Sequence, residues 1–380
     1  MKRLVMCLVL FVVGACPALG APVLAIEDDL IFHETTPAGI TARVDLIAST
    51  GVKYARLGLD WTHVAPTRPA TPDDPADPAY DWNRYDLIIR GLRDRGIGVM
   101  VTLNGTPRWA STSGKWSAAP RPADGAAFAG AVALRYNGSF PAPGGGVLPA
   151  ITTLSVRNEP NIYLFTSPQC KRVRGRWVPA SPQSYAALLR ASEPKIRAAN
   201  PKLVIVAGET GSTSAESGGC KNAITTIGTI EFTRLLHKAL GGKRKVPFDM
   251  WAQHIYPVGP PDRAAFFPSW RNLPDLTKVL NKMHRNNRMP LIIAETGYTT
   301  SYSPYHRYFV SEAQQAKWLD LTYKLATKNK QIEAVVWFNI QDHRNWPAGL
   351  FRADGTTKPA FGRFRSIALS NALSPKWALP

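Results

Sequence analysis

Short apolar runs alternate along the chain with longer stretches in which apolar positions recur every three or four residues between charged ones. Such alternation predicts strands followed by amphipathic helices, the rhythm of βα units around a parallel sheet. The apolar runs fall at 23–26, 53–59, 98–103, 151–156, 203–207, 249–254, 291–294 and 334–338. The helical stretches fall at 85–95, 126–136, 184–199, 230–240, 275–285 and 312–328, with a first helix around Asp45 and a last one after Ala360. Pro194 is expected to kink or divide the 184–199 stretch, because it lacks an N–H and crowds the preceding turn. Eight strands backed by helices predict an α/β fold of the (β/α)8, or TIM, barrel type. The competing arrangement, an open doubly wound sheet, lacks its Gly-rich phosphate turn after the first strand. The Pro/Asp-rich 66–78 and Gly/Pro-rich 141–149 segments lie inside this rhythm and read as loops, so a single domain is expected over 21–380.

The first twenty residues follow a different pattern. Lys2 and Arg3 precede an apolar stretch over 4–13, and Ala18-Leu19-Gly20 has the small-x-small form of a cleavage site. Residues 1–20 are therefore read as a signal peptide and the mature chain as secreted or extracytoplasmic. Val13-Gly14-Ala15-Cys16 offers a lipobox-like alternative that would acylate Cys16, but Pro17 and the missing leading Leu weigh against it. Beyond the leader no apolar run is long enough to span a membrane, so no transmembrane segment is expected.

Export changes how the cysteines read. Cys7 and Cys16 belong to the leader, leaving Cys170 and Cys220, which are expected to pair in an oxidising compartment. Hydrophobic residues make up 45% of the 380, enough for a large core and too many for a disordered chain. The net charge of +19 gathers at 171–176, 243–245 and Arg285 with Arg288. These clusters sit in loop-like contexts without a nucleic-acid motif, so they read either as a solvated surface that attracts anionic envelope material or as steering toward an anionic or envelope-associated glycan, with no nucleic-acid partner expected.

In such barrels chemistry gathers at the C-terminal ends of the strands. The second strand ends in Arg56-Leu57-Gly58-Leu59-Asp60, which puts Arg56 and Asp60 on one face; they are candidates for substrate binding, or a structural ion pair. After the third strand come Asn104 and Trp109, the latter either a wall for a sugar ring or core packing. The fourth strand is followed by Asn158-Glu159-Pro160-Asn161, the sixth closes on His254-Ile255-Tyr256 and the seventh on Glu295. Trp337 ends the eighth. Carboxylates on the fourth and seventh strands would face each other across the barrel mouth. Cleaving a glycosidic bond requires such a pair, one protonating the leaving oxygen and one attacking the oxocarbenium-like centre. Their environments must hold one neutral and the other ionised. Asn158 is placed to bind a sugar 2-OH, and Tyr256 to donate a hydrogen bond to Glu295.

This constellation resembles glycoside hydrolase clan A, the retaining (β/α)8 hydrolases that include families 5 and 39, over nearly the whole mature chain. The resemblance implies Glu159 as acid/base and Glu295 as nucleophile of a double displacement; it does not carry the substrate, for which β-linked polysaccharide or oligosaccharide is the expectation. It further implies His254, Tyr256 and Arg56 as substrate-site residues and Trp337 as the floor beneath the cleaved sugar. Asn158-Glu159-Pro160-Asn161 and the Gly105-Thr106-Pro107-x-Trp109 turn look closer to family 39. Two positions depart: Asn104 stands where family 5 usually has His, and Thr296 where family 39 commonly has Phe or Trp.

Rival acids are Glu209 at the end of the fifth strand, Glu34 and Asp342. A metal-dependent barrel hydrolase would draw on His33, His254 and His343, but these lack the clustered spacing of metal sites, so no metal or other cofactor is expected. A third reading is a carbohydrate-binding barrel without catalysis. The insertion 163–182 and the loop 210–229 are expected to wall the cleft, tied by Cys170–Cys220, in a monomer.

Overall fold

The computed structural model describes residues 21–111, 113–212, 219–242, 245–265 and 267–370. The leader with Cys7 and Cys16, and Lys243 and Arg244 of one basic cluster, lie outside the described residues. Eight parallel strands close a barrel: β1 (Val23–Glu27), β2 (Tyr54–Asp60), β3 (Gly98–Asn104), β4 (Thr153–Ser155), β7 (Val204–Thr210), β8 (Met250–Ile255), β9 (Leu291–Thr296) and β10 (Ile332–Phe338). They follow one another around the barrel in chain order, and β10 pairs with β1 to close it. The two remaining strands, β5 (Cys170–Val173) and β6 (Arg176–Pro179), form an antiparallel hairpin inserted after β4.

The helices between them are α1 (Pro37–Ser49), α2 (Trp61–Val64), α3 (Asn83–Asp94), α4 (Pro122–Arg135) and α5 (Ser181–Ala199). Then come α6 (Thr229–Ala239), α7 (Leu273–Met283), α8 (Glu312–Lys328) and α9 (Pro359–Ser370). Local signals start them. Thr36 accepts the Gly39 N–H at the head of α1, with Pro37 in its first turn, and Ser311 accepts the Gln314 N–H at the head of α8. In α3 the buried Tyr85, Ile88, Ile89 and Leu92 recur at helical spacing and press on the sheet. Pro194 does not divide α5, which runs on through it with Leu188, Leu189, Ser192 and Ile196 buried on both sides of the proline.

Two apolar cores result. The larger lies between strands and helices. The smaller fills the barrel interior with Val23, Ala25, Tyr54, Met100, Val206, Met250, Ala252, Ile292, Ala294, Ala334 and Val336. Side chains alternate along a strand, so the next inward positions after this plug are those at the mouth.

Two register irregularities decide which residues reach it. β7 shifts register against β8 between Gly208 and Thr210. Gly208 has φ 93°, and a Cβ there would sit 2.4 Å from the Trp251 ring, so glycine is required at the bulge. Val204 and Val206 face inward, and past the bulge Glu209 is the residue that turns in. β9 shifts against β8 between Gln253 and His254, and both Ala294 and Glu295 turn inward.

Candidate active site

The floor is organised by Arg56 of β2, one strand alternation above the buried Tyr54. Its Nη1 donates to Glu295 Oε1 at 2.9 Å and to Glu27 Oε2. Its Nη2 donates to Asn158 Oδ1 at 2.9 Å and Glu209 Oε2 at 2.7 Å, and its Nε to Thr102 Oγ1 at 3.1 Å. Thr102 in turn donates its hydroxyl to Glu209 Oε1 at 2.8 Å. One guanidinium thus holds three buried carboxyls from three strands, a task suited to its fixed fork of donors.

Glu159 stands on the loop after β4 with φ 38°, a left-handed conformation rare for a side-chain-bearing residue. It is held there from several sides. Its N–H donates to the Glu209 carbonyl at 3.0 Å. Asn161 donates to the carbonyls of Gly211 and Ile227 and accepts the Gly211 N–H at 2.9 Å. A Cβ at Gly211 would lie 2.6 Å from Glu159 Oε1, so the absence of a side chain makes room for the carboxyl.

His254 Nδ1 lies 2.8 Å from Glu159 Oε1 and 3.3 Å from Glu295 Oε2, and Tyr256 donates its hydroxyl to Glu295 Oε2 at 2.5 Å. An oxygen of Glu159 and one of Glu295 lie within 4.8 Å of each other.

Burial drives the electrostatics. It pushes Glu159 up to about 8, against the attraction of Arg56. Burial also raises Glu295, but His254, the Arg56 cation and the Tyr256 hydrogen bond all pull the other way. Glu27 is raised well above the carboxylate range by burial, and His254 is lowered by it, favouring the neutral imidazole. Arg56 is held above its ordinary value: burial works against its charge, and Glu209, Glu27 and Glu295 overcome it. Burial therefore favours the protonated form of Glu159 near neutrality, while Glu295 has a fixed cation and a hydroxyl on its two oxygens.

A cavity of about 650 Å³ opens above this floor. Of the residues singled out from sequence, Arg56, Asn104, Asn158, Glu159, Tyr256 and Glu295 line it, and His254 lies fully buried beneath the pair. Three others stand elsewhere. Asp60 caps α2 through the Thr62 N–H at 2.8 Å and accepts from Trp116 Nε1 at 3.0 Å. Trp109 packs edge-on against Trp61, with centroids 5.3 Å apart, and donates to the Ala65 carbonyl, so it serves the core beside the barrel. Trp337 points outward into the helix–sheet core and donates to the Ala348 carbonyl at 3.1 Å. Strand alternation gives the inward place to Phe338, which lines the cavity. An aromatic wall of Tyr256, Phe338, His306 and Trp346 stands there instead, Tyr256 and Trp346 being 4.8 Å apart.

Sequence reasoning also passed over Glu27, although Val23, Ala25 and Glu27 continue one strand face. Among the rival acids, Glu209 lies under the floor rather than on the cavity, and Asp342 bonds Lys358 and the Gly349 N–H. Glu34 lies outside the lining. Among the described residues, Glu159, His254 and Glu295 are the one His/Cys/Asp/Glu group close enough to hold a metal ion, and Glu295 is already engaged by Arg56 and Tyr256. His33 is exposed, and His343 meets Asp29 at 3.1 Å on the cavity rim. Cys170 and Cys220 are bonded, tying the β5–β6 hairpin to the loop after β7. Among the described residues no helix is long and apolar enough to cross a membrane.

No protein-family model matches the chain. Over 75 residues, 19% of its length, it is 33% identical to the galactolipid galactosyltransferase SFR2, chloroplastic, of Arabidopsis thaliana. Over 77 residues, 20% of its length, it is 32% identical to the beta-glucosidase-like SFR2, chloroplastic, of Oryza sativa subsp. japonica. Each match spans only 12% of that relative.

The fold is shared far more widely. A family 39 glycoside hydrolase from Bacteroides cellulosilyticus WH2 superposes with a TM-score of 0.62 at 17% identity, over 92% of this chain and 64% of that one. A GH5_18 protein from Streptomyces cattleya gives 0.61 at 14% identity, over 93% and 82%. The GH39 enzyme from Xanthomonas axonopodis pv. citri gives 0.56 at 16%, over 92% and 67%. At these identities the likeness is one of fold, and it is the barrel fold expected from eight strands alternating with helices.

Proposed function

We propose that the chain is a retaining O-glycosyl hydrolase, with Glu159 as acid/base and Glu295 as nucleophile. The observation that carries this reading is the approach of their oxygens within 4.8 Å. Retaining pairs stand roughly 5–5.5 Å apart, whereas inverting pairs leave room for water at roughly 6.5–9.5 Å. Protonated Glu159 gives its proton to the leaving oxygen while Glu295 attacks the anomeric carbon, forming a glycosyl ester and releasing the leaving alcohol. Glu159, now a carboxylate, takes a proton from water as that water attacks the same carbon and frees Glu295. Two inversions give net retention.

Arg56 and Tyr256 orient Glu295 and stabilise its charge, and Asn158 and Asn104 face the sugar. The fold of neighbouring glycoside hydrolases supports the same class. We further read the substrate as a β-linked carbohydrate, with no nucleic-acid partner, and the enzyme as an exported monomer. The leader pattern and the Cys170–Cys220 bond support export.

The test is reducing-sugar release from β-linked polysaccharides, oligosaccharides and glycoconjugates by the mature chain beside Glu159→Gln and Glu295→Gln, with the product anomer followed by NMR. Release by the parent alone, with retained configuration and in the presence of EDTA, is expected. Inverted product removes the nucleophile role of Glu295, and sugar binding without release by the parent favours a binding barrel.

A further inference from the structure

We propose that the bond cleaved here joins a sugar to a lipid, and that the enzyme meets this glycolipid at an anionic membrane surface. The inference rests on reading Glu159 and Glu295 as the glycosidase pair. The acid must touch the leaving oxygen, so the leaving group lies on the Glu159 side of the cavity and the sugar ring above Glu295.

The wall on the Glu159 side is made by the same loop. Ile162, Tyr163, Leu164 and Phe165 line the cavity in succession, without a charged or amide side chain. Ile162 and Leu164 give a second sugar neither hydrogen bonds nor a flat face, and sugar hydroxyls over them would lose water without compensation; the rings of Tyr163 and Phe165 on either side of Leu164 cover a hydrocarbon chain without that loss. A hydrocarbon chain meets no such penalty and gains from burial. Elsewhere in the lining, Glu27, Arg56, Asn104 and Asn158 supply the polar groups that a sugar needs.

The apolar wall continues out of the cavity, with Tyr163 38% and Leu164 47% exposed. A few residues on, the β5–β6 hairpin carries Val173, 44% exposed, between exposed Lys171, Arg172 and Arg174. The disulfide joins this hairpin to the segment bearing exposed Lys221 and Ile224, the latter 54% exposed. Apolar tips among Lys and Arg are the composition of a surface that settles on anionic lipid. Within the cavity the one guanidinium, Arg56, is already bonded to three carboxyls. The positive charge of the chain therefore matches the membrane rather than the sugar.

Three measurements separate this inference from the reading beneath it. 2-Deoxy-2-fluoro-β-glycosyl fluorides of the gluco, galacto, manno and xylo series carry fluoride as leaving group, and one of them should label Glu295. No labelling by any overturns the glycosidase reading itself. With the sugar that labels, kcat/KM on the dodecyl β-glycoside should exceed that on the methyl glycoside by about 100-fold or more, each buried methylene counting for about fourfold. It should likewise exceed the rate on the corresponding β-linked disaccharide, and Leu164→Asp should shrink the dodecyl-to-methyl ratio at least about tenfold. Finally, a glycolipid of that sugar in phosphatidylglycerol-containing vesicles should turn over faster than in phosphatidylcholine alone, and Arg172→Glu/Arg174→Glu should abolish the difference. Labelling together with equal or faster cleavage of the disaccharide, or indifference to vesicle charge, overturns the proposal.

Discussion

The lower and upper halves of the barrel interior are built by the same strands and the same strand faces, yet their chemistry is opposite. Below, Val23, Ala25, Tyr54, Met100, Val206, Met250, Ala252 and Ile292 form a dry plug. One alternation further, the same faces present Glu27, Arg56, Thr102, Glu209 and His254, joined through Arg56 and His254 to Glu159 and Glu295. The plug gains from water exclusion and tolerates volume-conserving exchange. The upper layer is costly to bury and is kept only because each charge has a partner. The rigid lower half thus supplies a low-dielectric base on which burial moves Glu159 up to about 8 and Arg56 compensates its neighbours.

The most severe break in that comparison falls on the pair itself. On the proposed mechanism Glu295→Gln keeps the shape and removes the attacking charge, so turnover should fall by about 10⁴-fold or more, equivalent to roughly 5 kcal/mol in the barrier. Met250→Leu in the plug should leave kcat within about threefold and cost under about 1.5 kcal/mol. Steady-state rates beside chemical denaturation measure both. Next is Arg56→Met, which leaves Glu27, Glu209 and Glu295 without their cation and should cost about 3–5 kcal/mol. The loss should be smaller in acid, where Glu27 and Glu295, both raised by burial, take up protons, so denaturation at pH 5 and pH 8 distinguishes lost charge pairing from lost packing.

The pH behaviour of Glu159 follows from the direction of its shift. Its folded value, about 8, lies above the ordinary 4.5, so between these the folded state binds the extra proton. The stabilisation this brings is complete below pH 4.5 and is lost as pH rises through about 8. Activity should fall along the same limb, about tenfold per pH unit above 8, because the acid is then deprotonated. Glu159→Gln assayed with a nitrophenyl glycoside, whose leaving group needs no proton, should lack that limb. A limb that persists there assigns the titration to another group. Gly211→Ala is a milder perturbation: its methyl would press on Glu159 Oε1 from 2.6 Å, so kcat should drop by roughly tenfold through displacement of the acid, with less effect on KM.

The two halves also differ in how far they were legible. Every barrel strand was visible as an apolar run, because the plug and the outer core both reward apolar residues. What the runs hid was where the strands end, since inward positions at the mouth are polar. β1 extends one residue past the apolar run and ends in Glu27, and β7 runs on to Thr210 past the bulge. Gly208 inside a strand was the available sign of that bulge. Glu159, Glu295, Asn158, His254 and Tyr256 were legible because each sits at or just past the end of an apolar run, and Arg56 because it is a charge inside one, on the same face as Asp60. Trp109 was ambiguous because a turn gives no face to read, and Trp61 and the Ala65 carbonyl draw it into the core.

Trp337 is the case where alternation itself held the answer. Ala334 and Val336 face the plug, so the residue after Trp337, not Trp337, turns to the mouth. Trp346, brought in from the loop beyond β10, stands 5.7 Å from Phe338 and provides the large flat surface the eighth strand does not. The smallest effect expected distinguishes the two tryptophans. Trp346→Ala should raise KM by about 2- to 10-fold, the worth of one ring against a sugar face, with little change in thermal stability. Trp337→Ala should lower stability by about 3–5 kcal/mol, as loss of a buried aromatic does, while the enzyme that remains folded keeps its KM. The reverse pattern would put Trp337 against the substrate and require the end of β10 to turn over, taking Phe338 out of the cavity.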